Sequence, residues 1–241
     1  MISPEPAADA VDRLPADLNG AEAEAFVALQ EALADGDGGR WTVELRFQGL
    51  RLLPVVLRLA EALAAVGVPL RLLFADMGAT ALARRDRPEL AERIASFADQ
   101  RRLQEQGPSD GVLLLVGASQ AEYDQVEALC SDHRGPAVLV NAALEDAAVG
   151  IGSVARQRRR GFLSLWQAAY ALIPQAGSAL RRVYPGEWEL FRLDADGFRP
   201  VARFERRPDG EEQEQALQGG AASGLGSNLR ALGDLIEGLQ R

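Results

Sequence analysis

Asp76, Ser119 and Asn141 each stand at or just past the end of a short apolar run, at 70–75, 112–116 and 137–140. A carboxylate, a hydroxyl and an amide placed in this way are groups from which a small-ligand site can be made. If the three runs are neighbouring parallel strands, these side chains share one edge of the sheet, where open α/β folds hold their ligands. The same residue types also cap helices and close loops, so both readings stand. Arg84 and Arg85 follow Asp76 closely enough to approach that edge. Arg156, Arg158, Arg159 and Arg160 form a basic stretch expected on a loop nearby. Guanidinium groups arranged like this can grip phosphate or carboxylate.

The remaining chemistry is read mostly by exclusion. A phosphate-binding loop of the Walker type needs a lysine, and all 26 basic residues are arginine. Gly150, Gly152 and Ala155 have the spacing of the dinucleotide fingerprint, but they follow a fourth apolar run instead of joining a first strand to its helix. His133, the single histidine, falls in a turn beside Arg134, where a capping or solvent-exposed ring is expected rather than a catalytic base. Cys130 is expected on the apolar side of a helix, a poor setting for a nucleophile. One Cys excludes an internal disulfide and suits a reducing compartment. One His and one Cys make no zinc set, and the acids lack metal-loop spacing. No catalytic residue, metal or cofactor is assigned.

The elements that would position these residues are legible as changes of period. Trp41, Val43, Leu45 and Phe47 alternate with polar residues and predict a strand over 40–47, whereas Leu53, Val56, Leu57, Ala60, Leu63 and Ala64 predict a helix over 52–66. Pro54 suits that helix's first turn, and Leu70 to Ala75 completes a β-α-β unit. Before it, Asn19 with Glu22 starts a helix carrying Phe26, Leu29 and Leu33, expected on the sheet edge. After it, Ala79 to Arg85 is a short helix or a loop. Asp86 to Glu89 starts a helix that turns Leu90, Ile94 and Phe97 inward. Ser119 and Glu122 form a capping box for a helix bearing Tyr123, Val126 and Cys130. Phe162 to Ile173 fits strand and helix equally. Trp188 to Leu193 and Phe198 to Glu205 read as strands joined through Asp196-Gly197.

The expected fold is therefore α/β, a Rossmann-like mixed sheet whose parallel N-terminal β-α-β units are extended by antiparallel C-terminal strands, those after Phe162 included. The expected organisation is a flexible arm over 1–18, one α/β domain over 19–206, a polar Gly-rich linker over 207–226 and a last helix over 227–241.

A chain of 241 residues that is 47% hydrophobic can bury a sizeable core. No apolar run approaches the roughly 18 residues of a membrane span, and the start lacks the pattern of a secretory or transit signal. A cytoplasmic protein is expected. The net charge of -9 is unevenly spread: -11 over 1–150, +6 over 151–207 and -4 over 208–241. The basic island either attracts an anionic partner or is a solvated face. Nucleic acid is disfavoured, because the chain is acidic and only Phe162 and Trp166 lie near the arginines for stacking.

Phe74-Ala75-Asp76-Met77-Gly78-Ala79-Thr80-Ala81-Leu82-Ala83-Arg84-Arg85-Asp86, Val138-Leu139-Val140-Asn141 and Val183-Tyr184-Pro185-Gly186-Glu187-Trp188, in this order after the strand at 40–47, resemble an uncharacterised domain family of cyanobacteria and chloroplasts. That family includes the plant low photosystem II accumulation protein 3. The resemblance spans about Asn19 to Glu205 and implies no reaction or substrate. It implies a photosynthetic setting and, by the plant relative, photosystem II assembly, with photosystem assembly proteins as partners. Peripheral contact with the thylakoid membrane through Arg156, Arg158, Arg159 and Arg160 would fit such a role. Two expectations follow: a non-enzymatic accessory factor acting by protein binding, or a small-molecule or nucleotide binder, enzymes included, working at the strand-end edge.

Overall fold

The computed structural model describes residues 14–35, 39–107, 109–144 and 153–219, with the side chains of 153–156 and 158 outside that set. The elements are α1 (Leu18–Ala34), β1 (Arg40–Leu45), α2 (Leu52–Ala65), β2 (Leu70–Phe74), α3 (Met77–Asp86), β3 (Ile94–Ser96), α4 (Phe97–Gln104), β4 (Val112–Val116), α5 (Tyr123–Ser131) and β5 (Ala137–Val140). There follow α6 (Ser153–Leu163), β6 (Gln167–Gln175), β7 (Ser178–Val183), β8 (Trp188–Asp194), β9 (Gly197–Phe204) and a helix α7 over 210–219. The strands form one mixed sheet in the order β3-β2-β4-β5-β1-β6-β7-β8-β9. The α/β class with parallel strands first and antiparallel strands last is as the sequence predicts.

The chain divides into two compact units. In the unit of residues 15–173 with 182–186, the strands from β3 to β6 all run parallel. Leu72 pairs with Leu114 and Leu114 with Val138, while Val138 pairs with Trp41 on β1, so the four expected strands are neighbours. Leu72, Leu114 and Val138 are fully buried. Such strands read as near-continuous apolar runs because both faces of the sheet are covered. One face packs Leu73, Leu113, Leu115 and Leu139 with Phe97, Tyr123, Val126 and Cys130. The other turns Val43, Leu45 and Val140 towards α1 and α2. In the other unit, β8 and β9 pair antiparallel from Trp188–Phe204 to Asp194–Gly197.

Several expectations are corrected. Helix α1 begins at Leu18, because Asp17 takes the cap by accepting from the Gly20 N–H, and it packs on α2 and on β1 in the sheet interior, not on an edge. Its buried stripe is Ala21, Ala25, Ala28, Leu29 and Ala32, small enough for close approach. Leu90, Ile94 and Phe97 are buried as expected, but on three elements: a 3-10 helix at Pro88–Arg93, edge strand β3, and α4, which starts at its own Ser96–Asp99 capping box. The first strand after Phe162, β6, runs parallel to β1, with Trp41 opposite Gln167 and Leu45 opposite Leu172. The physical reason is α6, which makes β5-α6-β6 another crossover unit and returns the chain in the same direction. Strand β7 has no counterpart in the sequence reading. Within the stretch read as a linker, residues 210–219 are helical, started by a reciprocal pair in which Glu212 N–H donates to Asp209 and Asp209 N–H donates to Glu212. Most of the expected arm, the Gly150–Gly152 stretch and the last helix lie outside the described residues.

Candidate functional site

The three polar residues of the strand-end edge arrive where the sequence places them, and each is bonded to its own chain. Asp76 is the N-cap of α3: its carboxylate accepts from Gly78 N–H at 2.7 Å and Ala79 N–H at 3.1 Å. Ser119 is locked in the expected capping box, its hydroxyl donating to Glu122 Oε2 at 2.5 Å and accepting from Ala121 N–H at 3.2 Å. That hydroxyl bond holds the Glu122 carboxyl below the usual carboxylate range. Asn141 extends the β1–β5 ladder with its side chain, accepting from Leu45 N–H at 2.7 Å and donating to Leu45 C=O at 2.8 Å. These bonds satisfy backbone groups that strand and helix ends leave open.

Arg84, Arg85 and Arg159 are likewise engaged. The Arg84 guanidinium donates twice to Ile94 C=O, at 3.1 and 2.7 Å, pinning the start of β3, and Arg85 pairs with Asp86. Arg156, Arg158, Arg159 and Arg160 belong to helix α6, which corrects the expected loop. Arg159 lies over the Tyr123 ring at 4.5 Å and bonds Asp124 at 3.1 Å, while Arg160 is exposed. A helix forms here because Phe162 packs edge-on against Tyr123 and Trp166, an apolar anchor that a free loop would lack. Elsewhere in the basic island, Arg192 and Arg199 pair with Asp194, and Arg203 pairs with Glu189.

At the opposite end of the same strands the structure corrects the expectation for His133. The ring is buried, not exposed, and its Nε2–H donates to Gly111 C=O at 2.9 Å. Its Nδ1 therefore accepts from the Ser109 hydroxyl, 2.8 Å away. Burial holds its pKa below the ordinary histidine range. The Ser109 oxygen also accepts from Gln104 at 3.1 Å and Gln100 at 3.4 Å, which spends its lone pairs on the fold. The sequence does not single out Ser109, because its partner lies 24 residues on, across a helix. Cys130 is buried as expected, and desolvation pushes its thiol up to about 12, far from thiolate reactivity at neutral pH. Among the described residues no three His, Cys, Asp or Glu side chains converge as a metal site would require.

An open feature of this unit lies next to Asn141, at the carboxyl end of β1. A cavity of about 220 Å³ between α1, α2 and the sheet is lined by Ala25, Phe26, Val43, Leu45, Val55, Leu59, Ala62 and Val140, with Glu22 and Arg58 beside them. Arg58 on α2 donates from Nε and Nη2 to the Glu22 carboxylate on α1, at 2.7 and 2.5 Å, a fork that raises the guanidinium pKa. A groove of about 630 Å³ shares Val55 and Arg58 with the cavity and runs past Phe47, Leu50, Arg51 and Pro54 to Pro15 and Leu18. The signal was present in the sequence. Val55, Arg58, Leu59 and Ala62 fall at helical spacing on one side of α2, with Arg51 at its N-cap, a stripe distinct from the fully buried Val56, Ala60 and Leu63.

The geometry is that of an α/β protein with a mixed sheet, whose strand-end polar groups serve its own backbone and whose cleft opens beside them. The chain belongs to the family described as a domain of unknown function, DUF1995, which matches residues 15–215 and so extends past both ends of the resemblance read from the sequence. No curated protein matches it.

Proposed function

We propose that this protein is a non-enzymatic accessory factor that acts by binding other proteins, and that its setting is photosystem II biogenesis. The observation that carries the first part is that Asp76, Ser119 and Asn141 are all consumed in capping and strand-pairing bonds, so the edge is built as scaffold. A surface for a partner is offered by Leu193 and Phe198, a directly paired cross-strand couple that is 51% and 41% exposed. The photosynthetic setting is supported by the family resemblance in sequence. In the same reading, the arginines of α6 are the contact to an acidic partner face or an anionic membrane. The test is a pull-down from photosynthetic membranes with the tagged full chain. Recovery of photosystem assembly intermediates is expected, and their absence beside recovery by a known assembly factor would overturn the reading.

The second reading is a small-molecule binder at the strand ends, and the cleft between α1 and α2 is what favours it. Well-packed interiors hold few voids larger than a water molecule. This cavity is lined almost wholly by apolar side chains and has a polar pair, Glu22 and Arg58, beside it, the make-up of a small-molecule site.

A further inference from the structure

We propose that the cleft between α1 and α2 binds a single-chain amphiphile, its apolar tail against Ala25, Leu59 and Ala62 and its anionic head at Arg51. This rests on the small-molecule reading above and names its ligand.

The tail follows from the lining. The inner cavity presents Ala, Val, Leu and Phe side chains, and at about 220 Å³ it exceeds the ~150 Å³ in which an engineered apolar cavity takes up benzene. Such a space is poorly hydrated and gains contacts from an aliphatic chain or ring. The direction follows from α2. Arg51 is the N-cap of α2, and Val55, Arg58, Leu59 and Ala62 follow along one stripe of the helix, so a chain lying on it meets a cation at the N-terminal end and apolar side chains towards Ala62.

The sign of the head follows from the charges around the cleft. Glu22 and Arg58 hold each other, and Asp17 accepts from Gly20 N–H as the cap of α1. Arg51 is exposed and, among the described residues, has no ion-pair partner. A negative head meets that charge, and a neutral ligand would leave it unmet.

Octanoate and octanol share a chain and differ in the head, which makes them the probes, followed by titration and by the methyl NMR signals of Ala25, Val55 and Leu59. Octanoate is expected to shift those signals and to bind about tenfold more tightly than octanol, the worth of one charge-assisted contact. Arg51→Gln, on the surface and harmless to folding, should bring octanoate to the affinity of octanol and leave octanol unchanged. Ala62→Leu, which fills the cavity, should weaken both probes at an unchanged melting temperature. Vesicles of phosphatidylglycerol distinguish the source. Binding to them that Ala62→Leu reduces assigns the tail to a membrane lipid, and octanoate binding without it assigns a free amphiphile. Equal binding of octanol and octanoate by the wild-type protein overturns the proposal while leaving the cleft a binding site. Silence of the three methyl signals overturns both, and octanoate binding unaffected by Ala62→Leu places it elsewhere and overturns the proposal too.

Discussion

Asn141 holds a left-handed backbone, with φ at 49°, while its side chain takes both the N–H and the C=O of Leu45. Asn tolerates this conformation better than residues with a plain Cβ, and Gly adopts it freely. Asn141→Ala loses the two bonds and adds backbone strain, whereas Asn141→Gly loses the bonds alone. The expected losses of stability are about 3 and about 2 kcal/mol, read from urea unfolding. Equal losses would dismiss the strain. His133 gives a pH dependence of definite sign. Its folded pKa is depressed by burial, so its contribution is complete above the unfolded value of about 6.5 and is lost as pH falls from there towards the folded pKa, where the unfolded chain takes a proton that the fold refuses. His133→Gln should flatten the fall in stability between about pH 7 and 5. The residual decline should begin lower, where Asp99 and Glu122 protonate, both held below the usual range first of all by a serine hydroxyl. Matching slopes for the two proteins would count against this account. At this scale the sequence was informative about position and less so about partners: it placed Asp76, Ser119 and Asn141 at strand ends, but which backbone groups they bond depends on the neighbouring strand.

Helix α6 shows how an element changes the meaning of its residues. As a loop, Arg156 to Arg160 would be a mobile cluster open to any anion, but as a helix it fixes Arg159 over Tyr123 and against Asp124. A test of membrane contact should therefore leave Arg159 in place and change Arg156, Arg158 and Arg160 to Gln. Each Arg near an anionic surface is worth about 1 kcal/mol, so the triple variant should lose on the order of a hundredfold in membrane partition at low salt. Wild type is expected to sediment with thylakoid-type vesicles at low ionic strength and to be released by salt. If both proteins remain in the supernatant at low salt, the membrane part of the proposed function fails. The same element explains what was illegible in the fold. Phe162, Leu165 and Trp166 stand at a junction where α6 ends and β6 begins, so two periods overlap there and neither prevails locally. Strand β3 has only three residues and hides between two capping signals. By contrast β1, α2, β4 and the capping box at Ser119 were legible because each runs long enough, or pairs residues closely enough, for its period to show without tertiary help.

At the scale of the molecule, the parallel strands of residues 15–173 carry an apolar layer on each face. Leu114, on the face opposite to that of Leu113 and Leu115, is fully buried and paired with Leu72 on one side and Val138 on the other. An aspartate there has no partner within the apolar layers, and its burial costs several kcal/mol whether it stays charged or takes a proton and leaves an unpaired polar group. That penalty is comparable to the whole stability of an ordinary domain, about 5–15 kcal/mol. Leu114→Asp is therefore expected to abolish the cooperative thermal transition of this unit and the slow amide exchange of β2, β4 and β5. Phe198→Asp is the matched control, the same kind of change at a side chain 41% exposed on the β8–β9 hairpin. It should leave both observables near wild type, because the charge stays in water. A Leu114→Asp protein that still melts cooperatively within a few degrees of wild type would mean that the sheet can admit water or bend at β4, and the closed apolar layer inferred on that face of the parallel strands would be wrong.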